Sequence, residues 1–339
     1  MSHRANRQLQ VSGLARVEGE GALHVSVRDG RVEHVAMRIY EPPRFFEAFL
    51  RGRAFTEPPD ITARICGICP VAYQLSACAA IEDVCGVEVG GQLAALRRLL
   101  YCGEWISSHA LHIYLLHAPD FLGYEDAITL AKDHREVVER GLALKKAGNA
   151  IMDLVGGRAI HPINVRLGGF YRAPTRAELA PLAEQLRTAL DQAIATAIWV
   201  STFDFPDLAL THELLALHEP DRYAIESGTP RTASGATWPL AEWRSSREPV
   251  SATARRRLPR GLLYHRYRID EQGLITSATI VPPTAQNQAA IETDLARLVQ
   301  ANLHLDDHTL THLCEQAIRN HDPCISCSAH FLELTMDRQ

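Results

Sequence analysis

No stretch of the 339-residue sequence is apolar for long enough to cross a bilayer. The longest runs, such as Ala193 to Val200, fall far short of the roughly 20 residues a membrane helix needs, so direct membrane insertion is not expected. The N-terminus, MSHRANRQLQ, is polar and lacks an apolar signal core. A cytoplasmic location is therefore expected, unless a partner carrying a signal takes the chain elsewhere. A formal net charge of -5 argues against a broad nucleic-acid surface, and the short basic run Arg255 to Arg257 reads as a solvated loop. There is no internal repeat, no low-complexity tract and no GxGxxG fingerprint of a dinucleotide-binding fold.

What is present is the composition of a globular protein, 46% hydrophobic and 22% charged, with ample core for one large domain or two smaller ones. In ALHVSVRDGRVEHVAMRIY, apolar and polar residues alternate about Asp29-Gly30, the pattern of a β-hairpin. Helical spacing follows from Pro70, suited to a first turn, to about Val84. It recurs over Gly90 to His117, Tyr124 to Leu154 and Thr175 to Thr202. A loop with His161-Pro162 lies between Gly156-Gly157 and Gly168-Gly169. From about 205 to 258 the chain is polar and irregular; a second hairpin then spans LLYHRYRIDEQGLITSATIV. Two helices are expected near Gln288 to Asn302 and Asp306 to Asn320. The fold class is α+β, mainly helical, with a long-helix core and small sheets near both ends, read as one domain over 1–339.

Eight cysteines, in a reducing cytosol, are expected to be thiols or metal ligands. Four form two CxxC turns: Cys66 and Cys69 in RICGICP, and Cys324 and Cys327 in DPCISC. Such a turn aims two sulfurs at one point, so a pair of turns can build a four-thiolate site. Thiolates suit zinc, iron–sulfur clusters, or nickel with low-spin iron. The first pair precedes a predicted helix, whose N-terminal dipole favours the thiolate forms. Structural zinc is the commonest occupant of paired CxxC turns, but zinc ribbons usually close loops of about 15–20 residues. Here nearly the whole chain separates the pairs. Cys78, Cys85, Cys102 and Cys314 read as small buried hydrophobes.

RICGICP and DPCISC at this separation resemble the two signatures of nickel–iron hydrogenase large subunits. ARVEGEG, EPPRFFEAFLRGR, GGRAIHPINVRLGGF, LPRGLLYHRYRID and PPTAQNQ look like family segments in family order. The likeness covers about 10–205 and 258–339 and is closest to the soluble, NADP-linked branch that includes sulfhydrogenases. Many members carry histidine where this chain has Tyr73. The resemblance implies the hydrogenase large-subunit fold and reversible heterolytic cleavage of H2. It implies that Cys66 and Cys324 bind nickel alone, while Cys69 and Cys327 bridge nickel to an iron carrying carbon monoxide and cyanide.

Further roles follow from the same resemblance. Arg260, in the Pro259-Arg260-Gly261 triplet, is implied to stand over the open metal position as a fixed cation. Glu18 is implied to take the proton from a terminal thiolate. Asp120 and Asp322 would hold Arg260 by charge-assisted bonds, with turn or helix-end roles as the alternative for Asp322. His330, with Glu41 and the carbonyl of Gln286, is implied to hold a magnesium or iron ion near the C-terminus. Cleavage after His330 during maturation would remove Phe331 to Gln339.

The implied partners are an iron–sulfur small subunit, flavin- and NADP-binding diaphorase subunits, nickel-insertion proteins and a processing protease. This chain has no further clustered cysteines for an electron relay of its own. Against the family pattern the segment between about Asp207 and Leu258 is short, and Leu258 replaces a small residue before the PRG triplet. Two other readings stand beside the enzyme: a catalytically degenerate interaction subunit on the same fold, and a zinc-stabilised structural protein.

Overall fold

The computed structural model describes residues 6–40, 45–205, 211–237, 251–258 (backbone only) and 261–328. Glu41, Arg260, His330 and the tail from Phe331 lie outside the described residues.

The chain opens with an antiparallel sheet, β1 (Arg7–Val11), β2 (Gly21–Arg28) and β3 (Arg31–Ile39), in the order β1-β2-β3. Asp29 and Gly30 join β2 to β3 with φ of 51° and 72°, the left-handed pair that a tight hairpin turn requires. Short helices α1 (Phe46–Leu50) and α2 (Pro58–Thr62) lead to α3 (Pro70–Cys85). α3 is buried on nearly every side along its first three turns, so its sequence shows no clear polar face.

α4 (Gly91–Leu111) runs into a π-helical turn, His112–His117, and then α5 (Ala118–Leu122) and α6 (Ala127–Asp133). The segment expected as one helix from Tyr124 to Leu154 is two. Asp126 and Thr129 form a reciprocal cap that starts α6. His134, at φ -128° and ψ 49°, ends it before α7 (Arg135–Gly156) begins. The His161 loop contains a small hairpin, β4 (Val165–Arg166) with β5 (Gly169–Phe170). α8 (Arg176–Val200) starts from a Thr175–Glu178 capping box.

The middle stretch, expected to be irregular, carries a hairpin of β6 (Leu215–His218) and β7 (Thr229–Thr232) and the strand β8 (Ser251–Leu258). β8 pairs with β9 (Gly261–Ile269), which pairs with β10 (Ile275–Val281), both antiparallel. Arg255 to Arg257 are therefore paired strand backbone and not a loop. Alternation along β9 turns Leu263, His265, Tyr267 and Ile269 inward. The chain finishes in α9 (Pro283–Ala301), α10 (Asp307–Asn320) and the single turn α11 (Ile325–Ser328). No helix among the described residues is long and apolar enough to cross a membrane.

Two packing interfaces position the site. Leu23, Val25, Val27 and Met37 of the first sheet pack on Ile291, Leu295 and Val299 of α9 and Leu310, Cys314 and Ile318 of α10. Each such side chain contributes roughly 1.5–3 kcal/mol on burial, so the two ends of the chain are firmly joined. The second interface is α4 against α7. A Cβ on Gly148 would stand 2.6 Å from both the Gly103 carbonyl and the Ser107 nitrogen, so the helix backbones touch there.

All eight cysteines are free thiols. Cys78 and Cys314 are buried as expected and Cys102 is half-buried, but Cys85 is exposed at the C-terminal end of α3, where no packing element covers it.

Gly148→Ala is expected to cost about 1–3 kcal/mol, seen as a lower urea midpoint at unchanged slope. An unchanged midpoint would show that the backbones do not meet. Among the four cysteines outside the CxxC turns, Cys85 should alkylate in the folded protein. Cys314, whose thiol burial pushes up to about 12, should react only after unfolding, with peptide mapping as the readout.

Candidate metal centre

The first CxxC turn lies between a short 3-10 turn, Ala63–Ile65, and the start of α3. Cys66 is extended, at φ -143° and ψ 143°, and Cys69 occupies the residue before the first turn of α3. Proline at position 70 costs nothing there, because its missing N–H would have had no helical partner. The free N–H groups of Val71 and Ala72 donate to the Glu104 carboxylate at 2.6 Å and 3.2 Å. Glu104 is fully buried in α4 and so caps α3 from a different helix. The sequence signal for it was too weak to read, a single acidic residue inside an apolar helix 35 positions after Cys69.

The second turn follows α10. Its backbone is tied down on two sides: the Cys324 N–H donates to Thr284 Oγ1 at 2.9 Å, and the Ile325 N–H to the Glu18 carbonyl at 2.9 Å. Glu18 and Cys324 form a parallel bridge, which places the N-terminal segment directly against the C-terminal motif. Gly19 turns the chain away from that bridge at φ 85°, and Gly21 leaves the space that the Ile325 side chain occupies.

The four sulfurs converge. Cys66 Sγ lies 3.4 Å from Cys324 Sγ, Cys69 Sγ lies 3.4 Å from Cys327 Sγ, and Cys324 Sγ lies 2.7 Å from Cys327 Sγ. All four fall within 4.8 Å of one another, and all four residues are buried. The Ile68 N–H donates to Cys66 Sγ at 3.3 Å. Hydrogen bonds from Cys324, Cys327 and Cys69 hold the Cys66 thiol well below its usual range. Burial pushes the Cys69, Cys324 and Cys327 thiols up. One negative charge is thus easily shared, whereas four require a cation among them. Soft, converging, water-excluded thiolates fit nickel with low-spin iron, the group the sequence resemblance implies.

Glu18 is the sequence-predicted residue that the structure brings to this set. The Cys324 thiol donates to Glu18 Oε2 at 3.0 Å. Burial raises the Glu18 carboxyl, as does the charge of Cys66, while hydrogen bonds from Ser326 and Cys324 pull it back. The Ser326 N–H donates to Glu18 Oε2 at 3.1 Å and its hydroxyl to Glu18 Oε1. Ser326 was not singled out from sequence; its place between the two cysteines of DPCISC was the available signal.

Asp120 stands apart from the sulfurs as a hub. Arg319 Nε and Nη2 donate to its two oxygens at 2.7 Å and 2.8 Å, Arg16 Nη2 donates at 2.5 Å, and His117 Nδ1 lies 3.2 Å away. Burial would raise this carboxyl, but the His117 and Arg319 hydrogen bonds and the Arg319 charge hold it well below the usual carboxylate range. Arg16 is two residues from Glu18, and Arg319 closes the helix that leads to Cys324. Asp322, at φ 47°, has Oδ1 4.0 Å from His112 Nε2. The expected contacts of Asp120 and Asp322 with Arg260 lie outside the described residues, as do Glu41 and His330. Gln286 sits in α9 with its carboxamide donating to the Leu262 carbonyl at 2.8 Å. A separate apolar cavity of about 730 Å³, lined by residues including Trp105, Ile113, Ala197 and Phe205, has no cysteine in its wall.

A buried four-sulfur centre, assembled from the two ends of a mainly helical chain and faced by a carboxylate, defines a transition-metal protein. The profile of the nickel-dependent hydrogenase family matches residues 44–143. The alpha subunit of sulfhydrogenase 2 from Pyrococcus furiosus is 30% identical, the match covering 96% of this chain and 100% of that one. The alpha subunit of sulfhydrogenase 1 from the same organism is 27% identical, with 96% and 98% covered. An NAD+-reducing NiFe hydrogenase solved in the H2-reduced state shares the fold at a TM-score of 0.88 and 21% identity, covering 96% of this chain and 100% of that one. The chain belongs to the nickel-dependent hydrogenases, as a nickel–iron large subunit of the sulfhydrogenase-like branch. The alignment with sulfhydrogenase 2 runs over 411 positions against 339 residues here, so that relative carries sequence this chain lacks.

The depressed Asp120 carboxyl contributes stability in full above its unfolded value of about 3.9, and loses it as pH falls through the lower folded value. Asp120→Asn is expected to lower stability at neutral pH by about 3–5 kcal/mol, because Arg319 is left buried without its anion. It should also flatten the loss of stability below about pH 4, as read by urea unfolding across pH. Unchanged stability at pH 7 would show that the hub does not hold the two arms.

Proposed function

We propose that this chain is the catalytic centre of reversible heterolytic H2 cleavage. Electrons would pass to an iron–sulfur small subunit and, through a flavin-bearing partner, to NADP(H). The observation that carries the reading is the pairing of sulfurs, first with first and second with second, beside a carboxylate 3.0 Å from Cys324 Sγ. Cys66 and Cys324 would hold nickel, and Cys69 and Cys327 would hold nickel together with an iron that would carry carbon monoxide and cyanide. When bound, this group supplies the Lewis-acidic centre at which H2 is polarised and split.

The protein's own part is to hold the group and move the proton. Cys324 Sγ holds a proton in line with Glu18 Oε2, and the carboxylate is the acceptor. Ser326 keeps the carboxylate in place with its hydroxyl and N–H, so that proton transfer needs no side-chain search. Burial of the sulfurs excludes water from the centre. Arg260 is assigned as a fixed cation of the centre, with Asp322 and Asp120 as its carboxylate partners, and Glu41 and His330 as the holders of a magnesium or iron ion. The sulfhydrogenase relatives are named as alpha subunits, which supports assembly with further subunits here, in a cytoplasmic enzyme matured by nickel-insertion proteins and a processing protease.

Glu18→Gln tests the proton role. Nickel and iron contents should stay at the wild-type level while H2 oxidation with an artificial dye acceptor falls about 100- to 10,000-fold. Full activity would remove Glu18 from the reaction, and loss of both metals would make its role structural.

A further inference from the structure

The outer side of α8 turns apolar from Leu190 onward. Leu190, Ile194 and Ile198 recur every four residues and are 61%, 53% and 64% exposed, so they form one ridge along the helix. Ala193, Ala197 and Ser201 are exposed on the same side. At about 100° per residue, the six span an arc of roughly 140°. Asp191, the single charged residue between Leu190 and Ser201, falls at the edge of that arc. Among the described residues no element covers the ridge. Beside it lies the cavity of about 730 Å³. Ala193, Ala197 and Ser201 form one wall of the cavity, and Trp105 of α4, Leu144 of α7 and Tyr223 stand in the others. Phe205 and Tyr223, both in the lining, are 52% and 56% exposed. The stretch after Phe205 is the one that is short against the family pattern, so this chain has less sequence of its own to lay across this face.

We propose that this face is a two-fold interface between two copies of this chain. An apolar ridge beside an apolar hollow is complementary to itself: turned through 180°, the ridge of each copy enters the cavity of the other. The small side chains of Ala193 and Ala197 let the second α8 approach closely. With Asp191 at the edge of the arc and no other charge on it, the arc offers nothing that would select a chain of opposite sign. Leu190, Ile194, Ile198, Phe205 and Tyr223 are each more than half exposed. At roughly 100 Å² of apolar surface apiece, they would remove about 1,000 Å² from water when two copies meet, which is the threshold for a specific interface before the cavity walls are counted. An uncovered apolar patch of this size is unusual on a chain that stays single. The interface does not depend on which metal the four cysteines hold.

The test counts copies of this chain per particle by sedimentation of the complex purified anaerobically. Wild type should carry two copies, and two co-expressed copies bearing different tags should purify together. Ile194→Glu with Ile198→Glu should give one copy per particle and end the co-purification, with metal content and thermal unfolding as in wild type. Ile128→Glu, at a position 77% exposed on α6, should leave two copies. One copy per particle in wild type overturns the proposal, as do two copies that persist in the double variant. Should the double variant fail to fold, hydrogen exchange of wild type decides. Residues 190–201 should exchange faster once dilution separates the copies. Exchange that is unchanged on separation, or protection of that stretch by another subunit or by lipid in a single-copy particle, overturns the proposal.

Discussion

Four buried sulfurs within 4.8 Å of one another cannot all carry charge unless a cation lies between them. The rest of the structure is organised by that constraint. The sulfurs come from residues 66–69 and 324–327, nearly the length of the chain apart. The fold's main task is to bring these segments together and keep water out. The first sheet does so by packing on α9 and α10, which sets Glu18 against Cys324 in a backbone bridge. Metal binding and folding are coupled as a result, since the cation offsets a repulsion that the folded backbone alone imposes.

Beneath the sulfurs, carboxylates do the joining. Glu104 satisfies the open end of α3 next to Cys69, and Asp120 gathers Arg16 from the N-terminal arm with Arg319 from the C-terminal arm. Both carboxyl groups are buried, and each is matched by donors: helix N–H groups for one, two guanidinium groups and an imidazole for the other. This is the condition under which buried charge is tolerated. It also explains why Asp120 matters although it touches no sulfur. It fixes the two arms whose tips are Glu18 and Cys324.

Local chemistry made much of this legible before any coordinates. Pro70 after Cys69 announced α3, Asp29-Gly30 announced the hairpin, and the two CxxC turns announced a shared metal site. Glu18 was legible through its surrounding residues, and it does reach Cys324. What escaped was non-local. Glu104, Ser326 and Arg319 owe their roles to partners brought in by the tertiary fold, which no spacing rule encodes. β8 escaped because Arg255 to Arg257 read as solvated, while its backbone gains ladder bonds from β9. The break at His134 escaped because the helical spacing runs through it and no side-chain cap marks the start of α7.

The most direct measurement of the central claim is metal content with infrared spectroscopy on the protein purified anaerobically from cells with their maturation machinery intact. The account predicts nickel and iron near one each per chain, after iron in partner subunits is subtracted, with carbon monoxide and cyanide bands. Zinc in the four-cysteine site, or no metal and no such bands, would contradict it.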